Sequence, residues 1–369
     1  MTLIANTLND GFPILIGDLL VSSPTRKDDF KIPTFLEGVE KYMPKDMVNF
    51  PVKLNQKIKV INSNLALGSA GLLTEIETFH NELNTYLDKV EVDTESLNKF
   101  KDELDLTKYS KSAFLLLFYD SQSESFISIT ISDGYWKTEP HEYFNTINAV
   151  GTGATGFIEE CNRYKNENIE CSGNTNITNK ALSVNTILLS GLLSKESFSL
   201  ETIKKNWGAG FEIIYFDSDT QSFTKLTEFS YIIWRGKYSS QKKKLELEPY
   251  LILSYKYFNG VLAISSFLNG EVDGYGVLPI GMNKDTVDHS SLPKKFEVYN
   301  QKICNTFVIE LDEGKVFYPS AFISQREDGH TEIGIKINDS GQLEIMLNKE
   351  LENKLKSRIE EQFYPEKEN

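Results

Sequence analysis

The chain of 369 residues is short of the residue types that build disulfide, metal and membrane proteins. Its three cysteines, Cys161, Cys171 and Cys304, cannot all pair and lack the spacing of a metal site. Its four histidines are dispersed, and no uninterrupted apolar run reaches the roughly 18–20 residues of a membrane span. These shortages predict a reduced, cytoplasmic protein without a metal, a cofactor or a membrane segment.

Positive charge is also in deficit. The chain has 39 lysines and arginines against 53 aspartates and glutamates, which gives a formal net charge of -14. Such a balance disfavours nonspecific binding to nucleic acid or to anionic lipid. The amino terminus has no basic region followed by an apolar core, so no signal peptide is predicted. With 40% hydrophobic and 25% charged residues, the composition is typical of a globular protein with a substantial core.

The beginning of the chain carries the pattern on which the functional prediction depends. Residues 2–8 and 12–20 predict two strands, and the turn residues 9–11 between them predict a hairpin. Removal of Met1, which a small second residue permits, would place a hydroxyl and a free α-amine together on Thr2. An α-amine titrates at roughly 7.7–8.0, so its neutral fraction can accept the hydroxyl proton. Taken alone, however, a Met-Thr start is more typical of a threonine that merely begins an edge strand.

Two charged residues and a glycine extend this pattern. Asp18 lies within an apolar run, where a carboxylate must be paired. The candidate partner is Lys57, which directly precedes a second predicted hairpin over residues 58–67. That hairpin leads through Gly71 into a helix, and backbone N–H groups at such a junction suit a developing oxyanion.

These residues resemble those of the proteasome β-type subunits and their bacterial relatives, which are N-terminal-nucleophile (Ntn) hydrolases. Counted from Thr2, Gly11 and Asp18 fall at the family's intervals, and Gly71 follows Lys57 by the family's fourteen residues. The resemblance covers roughly residues 2–236. Three later segments also resemble the family's next two strands and its glycine junction into a helix, namely residues 113–120, 126–134 and 149–154.

The resemblance implies a role for each matching residue. Thr2 would be the nucleophile and its own amine the base, with Lys57 tuning their proton affinities. Asp18 would hold Lys57, the Gly71 amide would bind the oxyanion, and Thr152 would replace a supporting serine of the family. The implied activity is hydrolysis of amide bonds in a peptide or unfolded protein, with a small-molecule amide as the alternative substrate.

The resemblance also implies a substrate pocket beside Thr2. A lysine at its rim predicts a weak preference for acidic or polar side chains. The four implied pocket residues are Val21, Lys59, Ser69 and Leu73.

Two departures from the family leave a second function open. The family usually has an aspartate before a Ser-Gly pair, whereas residues 203–210 contain no aspartate. The segment between Asp18 and Lys57 is also longer than usual, and residues 22–56 contain four prolines and one predicted amphipathic helix, residues 35–42. This insertion is either a lid or subunit contact, or a packed surface excursion. The alternative function is a catalytically inactive proteasome-like scaffold or ring subunit.

The expected fold class is α+β, with a four-layer αββα Ntn-hydrolase sandwich over residues 1–236. A linker is predicted at 237–249, where three consecutive lysines indicate either a solvated stretch or a docking patch. Residues 250–369 are predicted to form a smaller β-rich domain of unknown role, ending in a helix. The family resemblance further implies a homo-oligomer and, if a chamber forms, an ATP-dependent unfoldase as partner.

Overall fold

The computed structural model describes residues 2–134, 136–142, 144–163, 170–172, 177–282, 302–324, 333–337 and 343–365. Met1 lies outside these residues. So do most of residues 165–179, where the sequence predicts a polar loop, and residues 338–341, where it predicts a turn between two strands. The described chain is a β-rich mixture of helices and strands. Its six α-helices are α1 (Leu73–Leu87), α2 (Thr94–Glu103), α3 (Ala154–Arg163), α4 (Ile177–Ser199), α5 (Glu201–Lys204) and α6 (Lys349–Phe363). None of these helices is long and apolar enough to cross a membrane.

The strands form one six-stranded, one ten-stranded, one four-stranded and one two-stranded sheet. In chain order they are β1 (Ile4–Asn9), β2 (Phe12–Asp18), β3 (Leu20–Ser23), β4 (Phe50–Gln56), β5 (Ile58–Asn62), β6 (Leu65–Ala70), β7 (Ala113–Asp120), β8 (Ser125–Ser132), β9 (Trp136–His141), β10 (Asn145–Val150), β11 (Glu170–Ser172), β12 (Phe211–Asp217), β13 (Ser222–Lys225), β14 (Phe229–Ser239), β15 (Lys244–Phe258), β16 (Val261–Leu268), β17 (Glu271–Pro279), β18 (Lys302–Glu310), β19 (Val316–Phe317), β20 (Ser320–Ser324), β21 (Ile333–Ile337) and β22 (Leu343–Leu347).

The six-stranded sheet places the start of the chain at its centre. Its order is β13-β12-β2-β1-β10-β9, and every pair is antiparallel. The predicted first hairpin is confirmed, because Asn9 pairs with Phe12 and the turn residues Asp10 and Gly11 both have positive φ. Two consecutive left-handed residues are what a tight two-residue hairpin turn requires.

The four-stranded sheet, β5-β6-β7-β8, packs one face on α1 and α2 and the other on the six-stranded sheet. The alternation along β7 shows why. Phe114 and Leu116 point to the helices, whereas Leu115 and Leu117 join the cluster between the sheets. On its far side, the six-stranded sheet packs against α3 and α4.

Helix α4 also contacts a further sheet on its other side. The ten-stranded sheet runs β11-β20-β18-β14-β15-β16-β17-β4-β3, with β19 added to β18, and α4 packs on its strands β14, β18 and β20. Because α4 is covered from both sides, 16 of its 23 residues are buried. Its buried polar residues are hydrogen-bonded, as in the pair Ser190 and Thr306 at 2.7 Å.

The predicted linker at 237–249 is wrong. These residues form the outer end of the β14–β15 hairpin, in which Tyr238 pairs with Leu245. The ten-stranded sheet therefore combines β3, β4 and β14 with strands from beyond residue 250. The stretch looks like a linker because few of its residues are buried: Tyr238 and Leu245 join the core, while the lysines surround the turn.

The insertion at 22–56 is packed rather than loose. The predicted helix at 35–42 is reduced to one turn of 3-10 helix at Val39–Tyr42. Phe30, Ile32 and Val39 form an apolar cluster with residues of the α4–β12 connection, which are Leu200, Ile203 and Ala209. The insertion is thereby held close to the end of α4.

Candidate active site

Thr2 lies just before β1, in the middle of the six-stranded sheet, and is only 2% exposed. Its carbonyl oxygen accepts a hydrogen bond from the amide of Gly153 at 3.0 Å. Gly151 has φ +89°, and a Cβ there would approach the Thr2 carbonyl oxygen to 2.3 Å. A glycine is therefore required at this position so that the β10–α3 junction can approach Thr2.

Asp18 ends β2 beside Thr2 and is fully buried. Its Oδ1 accepts hydrogen bonds from Thr2 Oγ1 at 2.5 Å, from the Leu3 amide at 2.7 Å and from Lys57 Nζ at 2.7 Å. Its Oδ2 accepts one from the amide of Gly208 at 2.9 Å. A buried carboxylate is tolerated only with such a full set of donors.

Lys57 lies between β4 and β5 and is almost fully buried. Its ammonium donates to Thr2 Oγ1, to Asp18 Oδ1 and to the carbonyl oxygen of Leu20, which uses all three of its protons. Burial lowers the pKa of Lys57, and the nearby carboxylates of Asp18 and Glu212 oppose that shift. The threonine hydroxyl thus lies between a cation that donates to it and a carboxylate that accepts from it.

Glu212 supports Lys57 from β12, and it was not predicted from the sequence. This buried carboxylate accepts from the Lys57 amide at 2.9 Å, from Lys225 Nζ at 2.7 Å and from Tyr257 Oη at 2.8 Å. Its ion pair with Lys225 offsets part of the cost of burying this carboxylate. A glutamate beside the apolar residues of β12 was the available signal in the sequence.

Thr152 lies next to the backbone nitrogen of Thr2, which donates to Thr152 Oγ1 at 3.2 Å.

Gly71 lies between β6 and α1 with φ +124°, and a Cβ there would approach the Lys111 carbonyl oxygen to 2.3 Å. Within the described residues, Gly71 makes no hydrogen bond to Thr2. The structure therefore brings Thr2, Asp18, Lys57 and Thr152 together and leaves the role of Gly71 a prediction.

The predicted pocket residues differ in exposure. Val21 is half-buried in β3, Lys59 is exposed on β5, and Leu73 is 37% exposed at the start of α1. Ser69 is buried, and its hydroxyl is hydrogen-bonded to His80 Nε2 at 2.9 Å. The Ser69 hydroxyl is thus already occupied by a side chain of α1.

His80 adds a group that the sequence did not assign to the site. Burial, with the nearby charge of Lys59, lowers the pKa of His80 to about 4. The imidazole is therefore neutral at physiological pH. It can accept from or donate to Ser69, depending on the tautomer.

The loop at 206–210 lies within the stretch where the family resemblance implies an additional aspartate. Here the loop meets Asp18 through the main-chain amide of Gly208 rather than through a side chain. Behind the loop, the buried Glu196 of α4 accepts from the Ala209 amide at 3.1 Å. Glu196 was missed from the sequence, because it lies between Lys195 and Ser197 near the end of the helix.

No metal site accompanies these residues. In the part of the chain that the structure describes, no group of three or more histidine, cysteine, aspartate or glutamate side chains could hold a metal ion. Cys161 and Cys304 are buried in the core.

No family model and no curated protein matches the chain. Among solved structures, it is similar to eukaryotic HslV from Trypanosoma brucei, with a TM-score of 0.32 and 13% sequence identity. The match covers 57% of this chain and 97% of that chain. A similarity at this TM-score assigns neither a fold nor an activity, so function must be inferred from the site itself.

Proposed function

We propose that the protein is an N-terminal threonine hydrolase that cleaves peptide bonds through an acyl-enzyme on Thr2. The observation that carries this proposal is the buried contact of Thr2 Oγ1 with both Lys57 Nζ and Asp18 Oδ1. A merely structural threonine has no need of a buried ammonium, because isolating such a cation from water is costly. The ammonium instead suits a hydroxyl that must lose its proton during reaction.

The proposed reaction begins with removal of Met1, which frees the Thr2 α-amine. Thr2 Oγ1 attacks the carbonyl carbon of the substrate while the hydroxyl proton passes to this amine. The C–N bond then breaks, the proton moves to the leaving amine, and the acyl group remains on Thr2 as an ester. A water that gives its proton to the same amine adds to the ester. Cleavage of the ester C–O bond then releases a carboxylic acid and restores Thr2.

The remaining site residues take supporting roles in this proposal. Thr152 Oγ1, which lies 3.2 Å from the Thr2 nitrogen, orients the amine. The Gly71 amide, close to the amino terminus of α1, stabilises the oxyanion. Val21, Lys59 and Leu73 line the substrate pocket, and the exposed lysine favours acidic or polar side chains.

The proposed fold assignment follows the same resemblance. We assign the sequence of helices, four-stranded sheet, six-stranded sheet and helices to the four-layer αββα sandwich of Ntn hydrolases. All proposed catalytic residues lie before residue 237. The chain beyond residue 250 would then have a separate role, although its strands share a sheet with β14.

The decisive experiment measures the mass of the amino-terminal peptide before and after treatment with a peptide epoxyketone or a β-lactone. The proposal expects loss of Met1 and a covalent adduct on Thr2. A Thr2→Ala variant should lose the adduct, Thr2→Ser should keep it, and Thr78→Ala should leave it unchanged. Thr78 is a suitable control because its hydroxyl only bonds the Thr74 carbonyl on the exposed face of α1. An intact Met1 would overturn the mechanism.

One observation favours the alternative of an inactive scaffold or ring subunit. Thr2 is 2% exposed, so a substrate reaches its hydroxyl only after removal of Met1 or a movement of the surrounding chain. Loss of Met1 without any adduct on Thr2 would support this alternative.

We also propose, from the family resemblance, that the chain forms a homo-oligomer and acts with an ATP-dependent unfoldase. Sedimentation velocity tests the first point, and a monomer at micromolar concentration would contradict it. The second point is tested by ATP-dependent degradation of an unfolded protein in the presence of a candidate unfoldase.

A further inference from the structure

Glu196 joins three segments that are far apart in the sequence. Its Oε1 accepts from Thr34 Oγ1 of the insertion at 2.5 Å, and its Oε2 accepts from Thr202 Oγ1 of α5. The amide of Ala209 donates to both oxygens at 3.1 Å. The carboxylate is fully buried, and these three donors serve its two oxygens.

The segment that Glu196 holds is the one that reaches Asp18. Gly208, next to Ala209, donates its amide to Asp18 Oδ2 at 2.9 Å. Gly208, Ala209 and Gly210 have φ of +108°, +61° and +110°, a run of left-handed residues that is unfavourable at the alanine. A Cβ at Gly208 would lie 2.1 Å from Glu196 Oε2. The loop thus packs closely around the carboxylate. The hydrogen bonds to Glu196 offset the cost of the loop's unfavourable backbone conformation.

Thr34 connects the same carboxylate to the insertion. It is fully buried, and the neighbouring carbonyl oxygens of Ile32 and Pro33 are fixed by Tyr275 at 3.1 Å and Ser266 at 2.6 Å. The insertion is therefore attached on one side to the ten-stranded sheet and on the other to Glu196. A displacement of the insertion would remove one of the donors that keep Glu196 in place.

We propose that Glu196 is a positioning residue that couples the seating of the 22–56 insertion to the Asp18–Lys57–Thr2 site, by holding the Gly208 amide on Asp18. This inference rests on the proposed function. Glu196 does not touch Thr2 and acts only through the loop. The sequence of contacts is Thr34 to Glu196, Glu196 to Ala209, and Gly208 to Asp18.

The surroundings of Glu196 make its charge sensitive to pH. Burial raises the pKa of Glu196 to about 7, while the hydrogen bonds from Thr202, Thr34 and Ala209 oppose the shift. The titratable groups that interact with it are Asp18, whose charge adds to the rise, and Tyr255 of β15. Because the ionised carboxylate accepts all the donors aimed at it, we expect the ionised form to hold the loop.

The experiment compares the rate of β-lactone labelling of Thr2, followed by mass spectrometry, between the full-length chain and its Glu196→Gln variant from pH 5.5 to 9. In the natural chain both Glu196 and the Thr2 amine must lose a proton, and an α-amine in a model peptide titrates at roughly 7.7–8.0. The logarithm of the rate should then rise with a slope near 2 below neutral pH. In Glu196→Gln the slope should fall to about 1, and the rate at pH 8 should fall on the order of 100-fold, as for a misplaced catalytic group.

Two further variants keep the result interpretable. Thr34→Val, which removes one donor from the insertion side, should slow labelling at pH 8 about 5-fold, the loss of one hydrogen bond of about 1 kcal/mol. Glu201→Gln is the matched control, because this exposed glutamate forms a surface ion pair with Lys205 on the neighbouring helix. It should leave both the rate and the slope unchanged.

The outcomes separate the two proposals. Absence of labelling in the natural chain at every pH would overturn the proposed function. Equal rates and equal slopes for the natural chain, Glu196→Gln and Thr34→Val would overturn only the role of Glu196. If Glu196→Gln does not fold, Thr34→Val decides alone: a rate equal to that of the natural chain would overturn the coupling to the insertion.

Discussion

The buried ion pair of Asp18 and Lys57 leads to a stability prediction that is independent of any enzymatic activity. Lys57→Met removes the ammonium and leaves the Asp18 carboxylate with donors from Thr2 Oγ1 and the amides of Leu3 and Gly208. Removal of one partner from a buried ion pair costs about 3–5 kcal/mol, because the other charge stays in the interior. We expect Lys57→Met to lower the free energy of unfolding by an amount near the lower limit of this range, because three donors still bond the Asp18 carboxylate.

Asp18→Asn should be more destabilising. The amide group of asparagine must face either the Gly208 amide or the three donors at Oδ1, and donors do not bond donors. The cheaper orientation leaves the Gly208 N–H without an acceptor, which costs about 1–3 kcal/mol, and leaves the Lys57 ammonium without a counter-charge. We therefore expect a loss of about 5 kcal/mol or more. The double variant removes both charges of this pair. Its loss in free energy of unfolding should therefore be smaller than the sum of the two single losses, by at least about 2 kcal/mol.

The assay is urea unfolding, followed by far-UV circular dichroism and by tryptophan fluorescence, whose transitions must coincide. A second cycle on Glu201 and Lys205, an exposed pair at 2.9 Å, serves as control. Exposed pairs couple by less than about 1 kcal/mol. If the coupling in the Asp18–Lys57 cycle is as small as in the control cycle, the reasoning from burial is refuted.

Three further predictions follow from single residues. Gly151→Ala should destabilise the fold by more than about 2 kcal/mol and suppress labelling of Thr2, since its Cβ would lie 2.3 Å from the Thr2 carbonyl oxygen at φ +89°; normal labelling would contradict this contact. Tyr257→Phe should cost about 1 kcal/mol in a melting experiment, because Glu212 keeps two of its three donors; an unchanged midpoint would contradict the hydrogen bond. The Glu196 carboxyl, whose pKa is raised from 4.5 to about 7, contributes most to stability below pH 4.5 and loses that contribution as pH rises to about 7. Glu196→Gln should therefore be less destabilising at pH 8 than at pH 5 by about 2–3 kcal/mol, and an equal loss at both pH values would refute the shift.

The part of the site that the sequence predicted is the part whose residues break a local pattern. Asp18 interrupts an apolar run, and Lys57 stands directly before an apolar strand. A buried charge needs a partner of opposite charge, and in the structure Lys57 Nζ lies 2.7 Å from Asp18 Oδ1. The hairpin before Asp18 could also be predicted from the sequence, because Asp10 and Gly11 in its turn are residue types that adopt positive φ readily.

The part that the sequence did not predict depends on contacts between distant segments. Glu196 follows a lysine and precedes a serine, so it looks like a surface residue near a helix end. It is buried only because α4 is covered by sheets on both sides and by the insertion, whose Thr34 lies 162 residues away in sequence. The false linker at 237–249 has a related cause, since the outer end of a long hairpin is polar like a linker.

The aspartate that the family resemblance implies is absent from residues 203–210, and this absence is one of the arguments for an inactive protein. At this position the chain supplies a main-chain amide to Asp18, held by a carboxylate on the far side of the loop. A fixed N–H group stabilises the charge of Asp18 without adding a further negative charge beside it. The lack of this side chain therefore does not leave Asp18 Oδ2 without a donor. Under the proposed function, activity then depends on access to Thr2, which is 2% exposed.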